Sequence, residues 1–467
     1  MKTSLMTAAA GALAVAGCTA PQTEALSFAA DVQGTWLTDG YGNLLVIRPD
    51  AVDLYDYLPG VCVPVDSTSE DPELADLVRE IGIRRQDEAL EIRLPLETHM
   101  RRARRLPSLP DTCGSPPDKS PGGVVEAAIR FFETHYAFMD LHGVDWPARK
   151  RVARSAVRAN MGEGELFDLL KEMLGDIPDG HLGLTDDDGF VTRSFSPNSG
   201  PTTEALFPPG ISERTREQRG DRFLGAYWTQ TVPEQVLEGA GTRIANDRIQ
   251  YGVLDGDVGY LAIITMGGYT EEETVAAELA VLNDALDEAL TAFETAGVRA
   301  VLVDLSVNLG GLDQVATAIA ARFATEPTRA YTKWAADAEM PVRTEKIVTP
   351  SGAVRFSGPV HLLTSDLTIS AAEIATMALR ALPQTVHHGS ATNGSLSDIL
   401  EKRLPNRWTL ELSNEVYLDH TGAHWEGPGI PPDQPIEMFD LSTLDGDHSA
   451  AVRTVLDHIR TATPVRK

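Results

Sequence analysis

From Ile249 onward, short apolar runs of strand length alternate with longer stretches of helical periodicity. IQYGVL and VGYLAIITM read as strands, and EEETVAAELAVLNDALDEALTAFETAG reads as a long helix. VRAVLVDL is an apolar strand followed by the helix LDQVATAIAARFA. PVHLLTS then leads into a helix begun by Ser370, QTVHHGS reads as a strand, and WTLELSNEVYLD alternates like a hairpin strand. A helix near His448–Ala462 follows. Strands separated by helices must cross over before they pair, so this rhythm confines the chain to an α/β core with a largely parallel or mixed sheet.

Upstream, the pattern changes twice. From Asp31 to Leu96 the chain alternates and carries Asp-Gly and Tyr-Gly-Asn turn signals, which predicts a small antiparallel β domain over 28–106. Pro107–Gly123 is rich in Pro, Gly and Ser and reads as a linker. From Val124, the segments VVEAAIRFFETHYAFMDLHG, WPARKRVARSAVRANM and GELFDLLKEML have helical spacing and predict an N-terminal helical bundle over 124–190. Residues 191–248 read as a loop or inserted module, 249–440 as the α/β core, and 441–467 as a C-terminal helix.

Composition and the amino terminus bound the functional classes. The formal charge of −28 over 467 residues offers nothing to offset phosphate repulsion and argues against a nucleic-acid partner. Met1-Lys2 precedes a small-residue apolar stretch, Leu5–Gly17, that is too short to span a bilayer and reads as a secretory signal. It ends in Val15-Ala16-Gly17-Cys18, which resembles the lipobox of bacterial lipoproteins, where the cysteine is lipidated and becomes the first mature residue. The expectation is a signal peptide over 1–17, a tether over 18–27 and a lipid-anchored place in the bacterial cell envelope, facing the periplasm. An ordinary cleaved signal with a chance cysteine is the alternative. Cys62 and Cys113 remain, and in an oxidising compartment two leftover cysteines are expected to pair. The 11 histidines show no zinc-type spacing with cysteines, so neither a metal nor a cofactor is expected.

Four places carry candidate chemistry. Asp179-Gly180-His181 follows the helical region and offers an imidazole. In VLVDLSVNLGGL a strand opens into Gly310-Gly311 before a helix, a turn whose free N–H groups suit a negative oxygen. No Lys-Ser/Thr follows the glycines, so a phosphate loop fits poorly. Ser370 stands where a strand enters a helix, and Ser370-Ala-Ala-Glu373 taken alone reads first as a capping box, the commoner use of such a serine, and second as a nucleophile at the positive helix end. Glu426, in WEGPGIPPD, lies at a turn ahead of a proline-containing loop, either as a solvated carboxylate or as one that orients a histidine.

Taken in order, DGHLGL, GYLAIITM, VLVDLSVNLGGL, HLLTSDLTISAAEI, GSATNGSLSD and EGPGIPPD resemble the tail-specific (C-terminal processing) serine protease family across roughly Val124–Glu437. The resemblance implies a protease-like mixed-sheet α/β core. It also implies Ser370 as nucleophile, with the N–H groups of Gly310, Gly311 and Ala371 as the oxyanion region. Many members carry a lysine base in G-x-x-T-x-G-K, but here Gly389-Ser-Ala-Thr392-Asn-Gly394 is followed by Ser395. Lys402 is a weak substitute. The branch resembling the tricorn core protease uses Ser, His and Glu, which maps onto Ser370, His181 and Glu426, with Glu415 as fallback for the carboxylate. The carboxylate-binding loop of a PDZ module is not evident between Asp186 and Gln250.

These readings point to a serine endopeptidase acting on peptide or protein substrates of the envelope through an acyl-enzyme. Two rivals stand beside it. The same fold serves ligand binding without proteolysis in proteins similar to the interphotoreceptor retinoid-binding protein. An envelope scaffold would leave Ser370 as a helix cap only.

Overall fold

The computed structural model describes residues 26–69, 78, 81–94, 98–175, 177–186, 194–195, 200–208, 211, 213–272, 274–440 and 448–461. The expected signal peptide over 1–17 and Cys18 lie outside the described residues.

The amino-terminal strands are β1 Gly34–Thr38, β2 Asn43–Ile47, β3 Val52–Leu58, β4 Val61–Ser67, β5 Gly82–Gln86, β6 Ala89–Arg93 and β7 Arg101–Leu106. They form one antiparallel sheet in the order β4-β3-β2-β1-β7-β6-β5. Alternation puts Trp36, Leu90, Ile92 and Ala103 into a single apolar core. The turn from β1 to β2 is sharp because Gly40 and Gly42 take φ of +78° and +63°. As expected, Cys62 and Cys113 are bonded, with Cα atoms 5.1 Å apart, which staples edge strand β4 to the linker.

Three helices follow: α1 Pro121–His135, α2 Trp146–Ala156 and α3 Glu163–Leu174. Ser120 caps α1 by accepting the Gly123 N–H at 3.2 Å, and Val124, Ile129, Phe131 and Phe132 of that helix are buried. Strand β8, Gly183–Thr185, then pairs antiparallel with a later strand and with β9, Ser194–Phe195. The polar segment beyond it carries α4, Pro201–Leu206, and α5, Glu213–Ala226, which runs on as a wide turn over Tyr227–Val236. Arg, Glu and Asp dominate 213–222 and mask the helix in sequence, but Phe223, Tyr227, Trp228 and Val232 are buried against the core sheet.

That core sheet joins β10 Thr242–Ile244, β11 Ile249–Leu254, β12 Val258–Ile263, β13 Ala300–Asp304, β17 Val360–Thr364, β19 Thr385–Gly389 and β23 Gln434–Pro435, in that order. β12, β13, β17, β19 and β23 run parallel, whereas β10 and β11 are antiparallel, so the sheet is mixed. Helices α6 Val275–Ala296, α7 Asp313–Ala321 and α8 Ala371–Arg380 bury their apolar faces on one side, and α9 Ser449–Thr461 covers the other. The fold class is thus the expected α/β with a mixed sheet. No helix among the described residues is long and apolar enough to cross a membrane.

Two parallel strands set up the site. Beyond β13 and β17 the chain continues into β14, Val307–Asn308, and β18, Leu367–Thr368, which pair parallel before turning into α7 and α8. Four further strands build satellite sheets: β15 Thr328–Ala335, β16 Thr344–Val348, β20 Ile399–Arg403 and β21 Thr409–Ser413, with β22 Glu415–Asp419 completing the set. The run read as one hairpin strand, WTLELSNEVYLD, breaks at Asn414. β21 pairs with β20 and β8, while β22 pairs with β15.

Candidate active site

Ser370 occupies the position before α8 with φ 58° and ψ −125°, a conformation that strains any residue with a Cβ. The neighbouring backbone holds it there. Ile369 N–H donates to Asn308 C=O at 3.0 Å, joining the tips of β14 and β18. Gly310 packs so closely that a Cβ there would lie 2.7 Å from Ser370 Cβ and 2.8 Å from Ile369 O. Only glycine fits, and its φ of +93° gives a second reason.

The diglycine turn is pinned on its far side. Met266 N–H donates to Gly310 C=O at 2.8 Å, and Leu312 N–H donates to Met266 C=O at 2.7 Å. Gly310 N–H donates to Asn308 Oδ1 at 3.0 Å, so that N–H is committed within the turn. None of these three bonds uses the N–H of Gly311 or of Ala371. Those two stand as the donors beside Ser370 that suit an oxyanion.

Glu373, one turn along α8, gathers the surrounding loop. Its Oε2 accepts the N–H of Ser370 at 3.1 Å and of Ser395 at 2.8 Å. Its Oε1 accepts the Thr392 hydroxyl at 2.6 Å and the Gly394 N–H at 2.7 Å. Burial pushes its carboxyl up to about 7 against the pull of these donors. Ser395, at the position of the lysine in the G-x-x-T-x-G-K pattern, accepts the Gly180 N–H at 3.2 Å on its Oγ and donates to Asn393 Oδ1 at 2.7 Å. The loop carrying His181 is thereby joined to the helix begun by Ser370.

His181 is buried, with its Nδ1 2.5 Å from the C=O of Ser397 and its backbone N–H donating to Asp179 Oδ1 at 2.8 Å. A carbonyl only accepts, so Nδ1 carries the proton, and whenever the ring is neutral Nε2 is its basic nitrogen. Glu426 acts on the same segment. Its Oε2 accepts the N–H groups of Leu396 and Ser397 at 2.9 and 3.0 Å. Burial first, then the charges of Asp179 and Glu373, push its carboxyl well above the usual range.

Glu415 has a different engagement. Its carboxylate takes the Tyr41 hydroxyl at 2.5 Å and the Lys333 ammonium at 2.9 Å. Burial alone would raise its pKa, but Lys333 and these hydrogen bonds hold it below the usual range. Lys402 Nζ is 2.7 Å from Asp56 of the β domain, so its ammonium is committed there. His99, Asp398 and Glu415 present ligand-type atoms within 4.8 Å of one another. Lys333, 2.6 Å from Asp398, already supplies the positive charge among them.

Ser397 and Glu373 were the groups that sequence reasoning did not assign. Glu373 was visible only as a capping-box residue. The Ser397 carbonyl belongs to the backbone of GSATNGSLSD and leaves no side-chain signature.

Two family models match the chain: peptidase family S41 over residues 257–436 and the tricorn protease C1 domain over 120–175. No curated protein matches the sequence. Among solved structures, a candidate peptidase from Parabacteroides merdae ATCC 43184 is similar at 22% identity and a TM-score of 0.57, covering 73% of this chain and 97% of that one. Mature CPAF is similar at 12% identity and a TM-score of 0.53, covering 74% of this chain and 99% of that one. These two likenesses concern the fold.

Proposed function

Because the chain belongs to the tail-specific S41 serine protease family, and is therefore a peptidase, we propose that it is an endopeptidase working through an acyl-enzyme on Ser370. His181 Nε2 takes the Ser370 hydroxyl proton as Oγ attacks the scissile carbonyl carbon. The resulting oxyanion is received by the N–H groups of Gly311 and Ala371 at the positive end of α8, with Gly310 shaping the turn. His181 then gives its proton to the departing amine, and water repeats the sequence in reverse to free the enzyme. Glu426 orients the imidazole by holding the Ser397 segment.

The observation that carries this reading is the Nδ1–Ser397 bond, which fixes the imidazole as the tautomer a general base needs. A fluorophosphonate probe is expected to label the wild type and to lose that label in Ser370→Ala and in His181→Gln. A folded wild type that the probe never labels would overturn the reading.

The substrates we propose are proteins or peptides of the bacterial cell envelope, with the chain held there by a lipid on Cys18. The Cys62–Cys113 disulfide supports an oxidising compartment. Palmitate labelling that is lost in Cys18→Ala is the expected result, and a wild type that takes no label, or labelling that persists in that variant, would remove Cys18 as the anchor site.

A further inference from the structure

The family matches begin at residue 120 and leave the amino-terminal β domain without a role. Its contacts supply one. The turn between β1 and β2 reaches into the point where β21 breaks and the chain crosses to β22. There Gly40 C=O accepts Asn414 Nδ2 at 3.0 Å, and the Tyr41 hydroxyl donates to Glu415 Oε1 at 2.5 Å. His99 of the same domain faces that hydroxyl at 2.7 Å through Nε2.

The crossover also holds His181, by two separate routes. Ser413 Oγ donates to Asp179 Oδ1 at 2.9 Å, and that oxygen accepts the His181 backbone N–H. Glu415 N–H donates to Ser397 Oγ at 3.0 Å, and the Ser397 carbonyl accepts His181 Nδ1–H. Tyr41, Ser397, Ser413, Asn414 and Glu415 are all buried, so none of these bonds competes with water. Other links between the domain and the core lead elsewhere: Asp39 accepts the N–H groups of Glu339 and Met340, and Asp56 pairs with Lys402.

We propose that the amino-terminal β domain is a built-in positioning element for His181, with Tyr41 as the positioning residue that sets the Ser413–Glu415 crossover. The proposal rests on His181 serving as the general base. It assigns the domain a part in the rate of the chemical step rather than in holding substrate. A displaced crossover would move the imidazole through both of its anchors at once, and small misplacements of a base lower kcat steeply.

The test compares Tyr41→Phe with Asp39→Ala in the full chain. Tyr41→Phe keeps the ring and removes only the hydroxyl, while Asp39→Ala loosens the interface away from the path. The His181 Cε1–H signal, assigned by its loss in His181→Gln, is titrated by NMR alongside kcat and KM on a fluorogenic peptide. Tyr41→Phe is expected to shift that signal and its titration midpoint and to lower kcat about fivefold with KM unchanged. Asp39→Ala is expected to do neither. An unmoved His181 signal in Tyr41→Phe overturns the proposal, as does an equal change in both variants. A His181 shift in Tyr41→Phe with no Ser370-dependent hydrolysis in any sample would keep the coupling and refute the peptidase mechanism instead.

Discussion

Glu373 Oε2 accepts the backbone N–H of Ser370 at 3.1 Å, so a buried carboxyl raised to about 7 is bonded directly to the residue that begins α8. Its pH consequence has a definite sign. Between the unfolded value of 4.5 and about 7 the folded protein binds the proton that the unfolded chain releases. Stability from this group is therefore fully present below 4.5 and lost as pH rises through 7, by roughly 3 kcal/mol. Urea denaturation at pH 5 and pH 8 should show a larger loss across that interval in wild type than in Glu373→Gln. Equal losses in the two proteins would show that Glu373 is ionised in both states.

Gly310 is predicted to tolerate no side chain. At φ +93° an added Cβ would sit 2.7 Å from Ser370 Cβ, so Ser370 or the turn must move. Gly310→Ala should lower kcat/KM at least about 100-fold, the scale of losing an oxyanion donor. Gly422 is a matched control, since its φ is +88° and an added Cβ meets nothing within 4 Å. Gly422→Ala carries the backbone strain alone and should keep fluorophosphonate labelling at the wild-type rate.

Lys333 is predicted to hold the satellite sheet together electrostatically. Its ammonium lies 2.6 Å from Asp398, 2.9 Å from Glu415 and 2.8 Å from the Tyr417 hydroxyl. Burial and the Asp398 charge already push the nearby Asp313 carboxyl up to about 7. Lys333→Met leaves these carboxylates without a counter-charge and should destabilise the protein by about 3–5 kcal/mol at neutral pH. The loss should shrink at pH 5, where the orphaned carboxyls take up protons. A pH-independent loss would instead point to packing.

What the sequence made legible follows from where side chains carry the signal. The parallel strands around VLVDL and HLLT are apolar on both faces, and Ser370, His181 and Glu426 sit in recognisable motifs. The structure joins the loops that carry Ser370 and His181 through Gly180, Ser395 and Glu373, and Glu426 binds the neighbouring Leu396 and Ser397. Less legible were features made by backbone groups. Nothing in GSATNGSLSD says that the Ser397 carbonyl meets an imidazole from a segment 216 positions away. The break at Asn414 was hidden because WTLELSNEVYLD keeps its alternation straight through it. The helix beginning at Glu213 was hidden because its first two turns are charged and its apolar anchors arrive only from Phe223.

Glu426 provides the last prediction, because its environment makes the charge-bearing role of a triad carboxylate testable. The carboxyl is buried, and that burial first, then Asp179 and Glu373, push it well above the usual range and so disfavour its charged form. Its Oε2 accepts two backbone N–H groups, and a glutamine carbonyl can accept both. Glu426→Gln should therefore retain kcat within about threefold, since it preserves the hold on Ser397, whereas Glu426→Ala should lose about 100-fold by freeing the segment that orients His181. Glu415→Gln should weaken stability more than Glu426→Gln does, because it breaks the pairing with Lys333. Kinetics and urea melts on the three variants separate these effects. If Glu426→Gln proves as inactive as Glu426→Ala, the carboxylate acts through its charge, and hydrogen-bond geometry alone does not account for its role.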